Sequence, residues 1–168
     1  MASRASPPQL QDTEGATEMK LNAFTDYSLR VLIFLAAEPA RRSTIHEIAS
    51  AFGVSEHHLT KVVHFLGKQG WVGTVRGNGG GLALAAHGQT LCVGEVVRRT
   101  EGHALPAECF RDDGGSCVIA RGCRLRGVLG EAVDAFYAVL DHYTLADLVR
   151  NRATLIRALN IGLPARAS

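Results

Sequence analysis

Three cysteines, Cys109, Cys117 and Cys123, crowd one short stretch of this chain, and a fourth, Cys92, stands apart between Leu91 and Val93. Thiolates are soft ligands that suit iron–sulfur clusters and zinc, and neighbouring thiols also work as redox switches. Structural zinc sites usually bring their cysteines in pairs two to four residues apart, and no such pair occurs here. Arg111, Arg121, Arg124 and Arg126 flank the three cysteines and set positive charge beside any thiolates. Gly114, Gly115 and Gly122 free the backbone to wrap a cofactor. An iron–sulfur cluster is the leading reading of these residues, with a zinc ion and a metal-free thiol switch as alternatives. Three cysteines leave a cluster one protein ligand short, so a further ligand must come from elsewhere. Cys92 reads as a small buried apolar residue, and His57, His58 and His64 as surface groups rather than metal ligands.

The surrounding composition narrows the setting. Apolar residues make up 46% of 168, which excludes wholesale disorder, and no apolar run approaches the roughly 20 residues of a membrane span. Residues 1–18 carry no long apolar stretch and read as a flexible tail rather than a secretory signal, with Met19 a second candidate start. Four cysteines without such a signal fit a cytoplasmic protein better than a disulfide framework. Net charge is +2, yet residues 19–100 hold nine Lys and Arg against five Asp and Glu, while residues 101–168 balance at eight each. That basic bias falls where the elements described next resemble a DNA-binding unit.

Tyr27, Val31, Phe34 and Leu35 recur at helical spacing, predicting a first helix over 24–38 that Pro39 ends. Thr44-x-x-Glu47 is a capping-box pattern opening a short second helix with Ile45, Ile48, Ala49 and Phe52 inward. Gly53-Val54 makes a tight turn, and Ser55 is a candidate N-cap for a third helix to about residue 69. Leu59, Val62, Val63 and Leu66 give that helix one apolar face, leaving Glu56, His57, Thr60, Lys61, His64 and Lys68 outside. Two short helices across a glycine turn form a helix-turn-helix pattern. Strands over 71–75 and 82–85 then flank Arg76-Gly77-Asn78-Gly79-Gly80-Gly81, the composition of a hairpin wing. A fourth helix is expected over 93–100. After the cysteine segment, a stripe from Leu125 through Val128, Leu129, Ala132, Val133, Phe136, Val139 and Leu140 to Tyr143 marks a long helix over about 123–143. So long a stripe lacks partners within a small chain, which predicts pairing with its equivalent in a two-fold homodimer. Thr144-x-x-Asp147 opens a further helix to about residue 150, and 154–159 a last one.

The expected fold is mainly α with a small β-hairpin: a winged helix-turn-helix domain plus a long dimerisation helix. Residues 1–18 form the tail, 19–100 the DNA-binding domain, 101–123 the cysteine-rich loop, and 124–162 the dimerisation and C-terminal helices. The third helix is expected in the major groove, with Ser55, His57, His58, Thr60, Lys61 and His64 facing DNA. Arg76 and Asn78 on the wing reach toward the minor groove or the phosphate backbone. A redox enzyme finds no support, since there is no C-x-x-C pair and no nucleotide-binding glycine pattern after a strand. The chain reads as a non-enzyme.

From about residue 19 to 162 the chain resembles the Rrf2 family of bacterial transcription regulators, most closely its nitric-oxide-sensing repressor branch. The resemblance rests on Phe24-Thr25-Asp26-Tyr27 with Leu29-Arg30, Gly53-Val54-Ser55, Val75-Arg76-Gly77 with Gly79-Gly80-Gly81, the three cysteines with Arg124-Leu125, and Tyr143-Thr144-Leu145-Ala146-Asp147-Leu148. It implies a winged-helix dimer crossed by a long helix, with Cys109, Cys117 and Cys123 holding an iron–sulfur cluster. Seven residues separate Cys109 from Cys117, where family members commonly have about five. Arg126 stands where the cluster-assembly branch carries a histidine, which favours the nitric-oxide branch. In that branch the remaining ligand is an aspartate early in the partner's first helix, and Asp26 matches it. Through Asp26 the resemblance favours a 4Fe-4S cluster over 2Fe-2S, operator DNA as partner and nitric oxide as signal. The alternative is an Rrf2-type regulator of iron–sulfur status or thiol redox state without a nitric-oxide role.

Overall fold

Asn22 opens the first helix, α1 (Ala23–Ala37), with extended backbone and a side-chain oxygen that accepts the Thr25 N–H at 2.8 Å. The chain is seen here in a computed structural model that describes residues 21–77, 79–102, 110, 117–119 and 122–162. Cys109, Asn78, Arg111, Arg121, Gly114, Gly115 and the tail 1–18 lie outside the described residues. Val31, Leu32, Phe34 and Leu35 of α1 are fully buried and sit in one continuous apolar core. Each such side chain contributes about 1.5–3 kcal/mol of transfer free energy.

Thr44 and Glu47 form the capping box as expected, the Thr44 N–H donating to Glu47 and the Glu47 N–H donating to the Thr44 hydroxyl, and α2 follows (Ile45–Phe52). Burial works against the Glu47 carboxylate, yet the Thr44 N–H and the Arg41 guanidinium outweigh it and hold the carboxyl below its ordinary range. Gly53 ends α2 at φ 63°, with the Gly53 and Val54 N–H groups returning to Ser50 and Ala49. That is a Schellman turn, and its left-handed residue is why glycine stands there. Helix α3 (Glu56–Lys68) buries Leu59, Val62, Val63 and Leu66, the four apolar positions read from its spacing.

Strands β1 (Val72–Val75) and β2 (Gly81–Leu84) pair antiparallel with Val72 opposite Leu84 and Val75 opposite Gly81. Sequence reasoning did not anticipate a third strand position: Ser43 exchanges both backbone hydrogen bonds with Leu82, at 3.0 and 2.7 Å. The hairpin is therefore bolted to the loop before α2, and buried Leu82 and Trp71 fasten its base to the core.

A 3-10 turn at Gly88–Thr90 leads into α4 (Val93–Glu101). Helix α5 (Arg124–Asp141) runs against α4, α6 (Leu145–Leu148) is a single capped turn, and α7 (Arg152–Ala158) closes the described fold. The sixth helix stops before residue 150 because Val149 leaves helical geometry and is buried. Leu145, Val149 and Ile161 join the same core as α1, so the chain returns from the long helix to the helix-turn-helix unit.

No residue of α5 is buried. Its apolar stripe divides into two faces. Leu129, Val133 and Leu140 are half-buried, whereas Leu125, Val128, Ala132, Phe136, Val139 and Tyr143 are exposed, Leu125 and Val139 by about 60%. The far end of α5 is clamped to α4, where Arg98 donates to both Asp141 oxygens, at 2.7 and 2.5 Å, and its guanidinium lies 4.5 Å from the Tyr137 ring centroid. Cys92 is also here, half-buried rather than sealed in the core, with its thiol 3.4 Å from Asp141 Oδ1. Sequence reading missed this contact because no local pattern links positions 92 and 141.

The hydrogen bond from Arg98 holds the Asp141 carboxyl below its ordinary range. A depressed folded pKa means the unfolded chain takes up its proton first, so the clamp stabilises at neutral pH and is lost as pH falls through the folded value. We expect the thermal midpoint to drop as acid takes the protein below about pH 4. Asp141→Asn should flatten that part of the curve relative to the wild type, and parallel curves would mean that the clamp adds nothing.

Candidate DNA-binding face and cysteine centre

With its apolar face turned to the core, α3 leaves His57, His58, Thr60, Lys61 and His64 exposed along one side. Ser55 takes the N-cap position with extended backbone, but its hydroxyl makes no cap bond. The Thr60 hydroxyl donates to the Glu56 carbonyl at 2.8 Å. His58 has a second attachment, its ring stacking on Tyr27 of α1 with centroids 6.2 Å apart. His46 Nδ1 lies 2.7 Å from Glu56 Oε1, joining the starts of α2 and α3.

The wing rises beside this face. Arg76 and Gly77 are exposed at its tip. Gly80 turns inward so tightly that a Cβ there would lie 2.4 Å from the Val75 carbonyl oxygen, which only glycine escapes. Arg42, exposed and next to the Ser43 strand position, donates to the Gly79 carbonyl at 3.1 Å and braces the tip. An open groove lined by Thr44, His46, Glu56, Thr74 and Gly80 separates wing from helices.

The cysteine segment meets the fold at the head of α5. Cys123 occupies the N-cap position of that helix, half-buried, with no cap bond from its side chain. Cys117 is also half-buried, and both are free thiols. Phe110, next in sequence after Cys109, reaches α5 with its ring edge 3.9 Å from where a Cβ on Gly130 would stand. The Arg126 guanidinium lies 5.8 Å from the same ring centroid. Phe110 thus packs on α5, and Cys123 opens it. Two free thiols, the positive N-terminal end of α5, and exposed Arg124 and Arg126 suit a thiolate-held, negatively charged group. Among the described residues, no three His, Cys, Asp or Glu side chains gather to hold a metal. Asp26 sits in the first turn of α1, its Oδ2 2.9 Å from Arg30 Nε and both side chains partly exposed.

Residues 21–151 match the family described as Rrf2, iron-dependent transcriptional regulator. The chain belongs to the Rrf2 family. It is 49% identical over 144 residues to the HTH-type transcriptional regulator NsrR of Bacillus subtilis, covering 85% of this chain and 99% of that one. It is also 49% identical over 138 residues to NsrR of Geobacillus kaustophilus, covering 82% and 94%. Among solved structures it is similar to T. potens IscR, with TM-score 0.65 and 27% identity over 82% of this chain and 90% of that one. CymR, the global cysteine regulator of B. subtilis, matches with TM-score 0.64 and 29% identity, covering 80% and 98%. The matched span holds the helix-turn-helix, the wing, all four cysteines and Asp26. Sequence reasoning did not single out Arg42, His46 or Phe110. Arg42 is one more arginine beside Arg41 until the Ser43–Leu82 pairing brings it to the wing.

Proposed function

We infer that this Rrf2-family chain is an iron–sulfur-dependent repressor that binds palindromic operator DNA as a homodimer and releases it when nitric oxide reaches the cluster. The observation that carries the reading is the continuity of α5. Cys123 stands at its head, and an apolar seam at heptad-like spacing lies exposed along its length. A change at the cysteines therefore acts directly on the helix that joins the two subunits. The NsrR relatives support the choice of signal.

Residues 19–100 supply the DNA-binding domain, 101–123 the sensing loop and 124–162 the dimerisation and C-terminal helices. In the dimer the two α3 helices enter successive major grooves, about one helical turn apart. Ser55, His57, His58, Thr60, Lys61 and His64 face the bases and phosphates, and Arg76 and Asn78 work from the wing. Cys109, Cys117 and Cys123 hold the cluster, and Asp26 from the second copy supplies the remaining, harder ligand. A bound cluster, 4Fe-4S in this reading, supplies iron that combines with nitric oxide. Asp26 pairs with Arg30 within its own chain, so its carboxylate would keep a partner whether or not it held a cluster.

Anaerobically purified protein is expected to be brown, to contain iron and sulfide, and to lose both its visible absorbance and its operator affinity on adding nitric oxide. A protein that stays colourless and iron-free after reconstitution sinks the cluster while leaving the DNA-binding fold intact.

Two substitutions probe the DNA face separately. Lys61→Ala should weaken binding to all sequences alike and reduce the slope of log affinity against log salt by about one. Arg42→Ala should cost about 1 kcal/mol of operator affinity through a looser wing tip, while β1 and β2 stay paired. Titrations at several salt concentrations check both, and an unchanged slope for Lys61→Ala would displace α3 from the interface.

A further inference from the structure

Asn22 does two jobs at once. Its side-chain oxygen caps α1 by accepting the Thr25 N–H at 2.8 Å. Its amide nitrogen donates to Glu101 Oε2 at 3.0 Å and to the Thr100 carbonyl at 3.4 Å, and its backbone N–H donates to Glu101 Oε1 at 2.9 Å. Glu101 is the last residue of α4, and the cysteine-bearing segment begins just beyond it. A carboxylate at a helix C-terminus meets the negative end of the dipole, an unfavourable place that Asn22's two donors offset. The α1 first turn and the end of α4 are thus held by a single residue.

That first turn leads to the DNA face. Phe24 meets Phe65 of α3 edge to face at 5.3 Å, and Phe65 meets Trp71 at the base of the wing at 6.3 Å. Tyr27 stacks on His58. The path from Glu101 to α3 and Trp71 runs through direct contacts within one chain.

We propose that the Asn22–Glu101 clamp passes the state of the cysteine loop to the recognition helix of the same subunit, through the first turn of α1. Asn22 and Glu101 are positioning residues, which act through α1 and α4. The role rests on the proposed function, but it does not depend on Asp26 being a ligand. When the loop is held, α4 ends in register, Glu101 anchors Asn22, and Phe24 and Tyr27 hold α3 in place. When the loop is released, Glu101 is pulled from Asn22, the α1 first turn frays, and α3 loses two of its aromatic supports.

Glu101→Ala tests this cleanly, because it leaves the Asn22 cap on Thr25 intact and removes an acid from a helix C-terminus. Glu101→Gln keeps an acceptor and serves as the conservative control. Operator affinity is measured for each protein with the cluster assembled and after its removal, alongside hydrogen exchange of the amides of residues 24–27 in cluster-free protein without DNA. Wild type and Glu101→Gln are expected to bind operator at least tenfold more tightly when loaded. Glu101→Ala is expected to keep wild-type iron content, to exchange those amides at least fivefold faster, and to shrink the affinity ratio to threefold or less. A Glu101→Ala protein with the full wild-type ratio overturns the clamp while the sensor reading stands. A wild type whose operator affinity ignores cluster state overturns both. If Glu101→Gln behaves as Glu101→Ala, hydrogen bonding by the clamp is not the means of transmission, and the proposal falls.

Discussion

Cys123→Ser is expected to purify without iron or sulfide and to bind operator about 10- to 100-fold more weakly than the loaded wild type. That corresponds to a coupling of about 1.4–2.7 kcal/mol, within the usual range for linked sites. A serine hydroxyl is a hard, weakly acidic donor and a poor substitute for a thiolate on iron. The substitution should leave the fold intact, because Cys123 makes no cap bond to α5 and is not part of the core. Cys109→Ser and Cys117→Ser should behave alike, whereas Cys92→Ser should keep its iron, because its thiol pairs with Asp141. Asp26→Ala retains all three thiolates and gives up the proposed fourth ligand together with a partly exposed ion pair with Arg30, the pair worth about 0–1 kcal/mol. It should keep a cluster yet respond to nitric oxide with a smaller change in operator affinity. Anaerobic iron and sulfide assays beside operator titrations decide the matter. A Cys123→Ser protein with wild-type iron removes that residue from the ligand set.

Phe136→Asp, combined with Val128→Asp, is expected to convert a dimer of the 17.9 kDa chain into a folded monomer. Both positions lie on the exposed seam of α5, so the charges touch water in the monomer and would be buried without partners in a dimer. A monomer binds one half-site of a palindrome and forfeits the gain from tethering the second, roughly 10²- to 10⁴-fold in affinity. Sedimentation equilibrium reads the mass, and circular dichroism confirms the retained helices. A double variant that still sediments as a dimer would move the interface away from this seam.

The helix-turn-helix was legible from the sequence because its signals are local. The Thr44–Glu47 capping box, Gly53 in a left-handed turn and the four-residue apolar face of α3 each act within a few positions of the chain. The wing was legible from its glycines, although its bracing by Arg42 and Ser43 was not, since that pairing spans nearly forty residues. Residue type and spacing narrowed the three-cysteine segment to a cluster, a zinc ion or a thiol switch. Its attachment to α5 through Phe110 and Arg126 needed the fold.

Residue type and short-range periodicity by themselves determined the helices and the range of chemistry open to the thiols, and the order of the motifs carried the resemblance to the family, because side-chain propensity, capping and ligand softness are properties of a residue and its near neighbours. Tertiary structure alone decided that the α5 stripe has two faces, that Cys92 meets Asp141, and that Asn22 joins α1 to the end of α4. Those outcomes depend on which distant segments pack together, and packing is settled by the whole core rather than by any stretch of it.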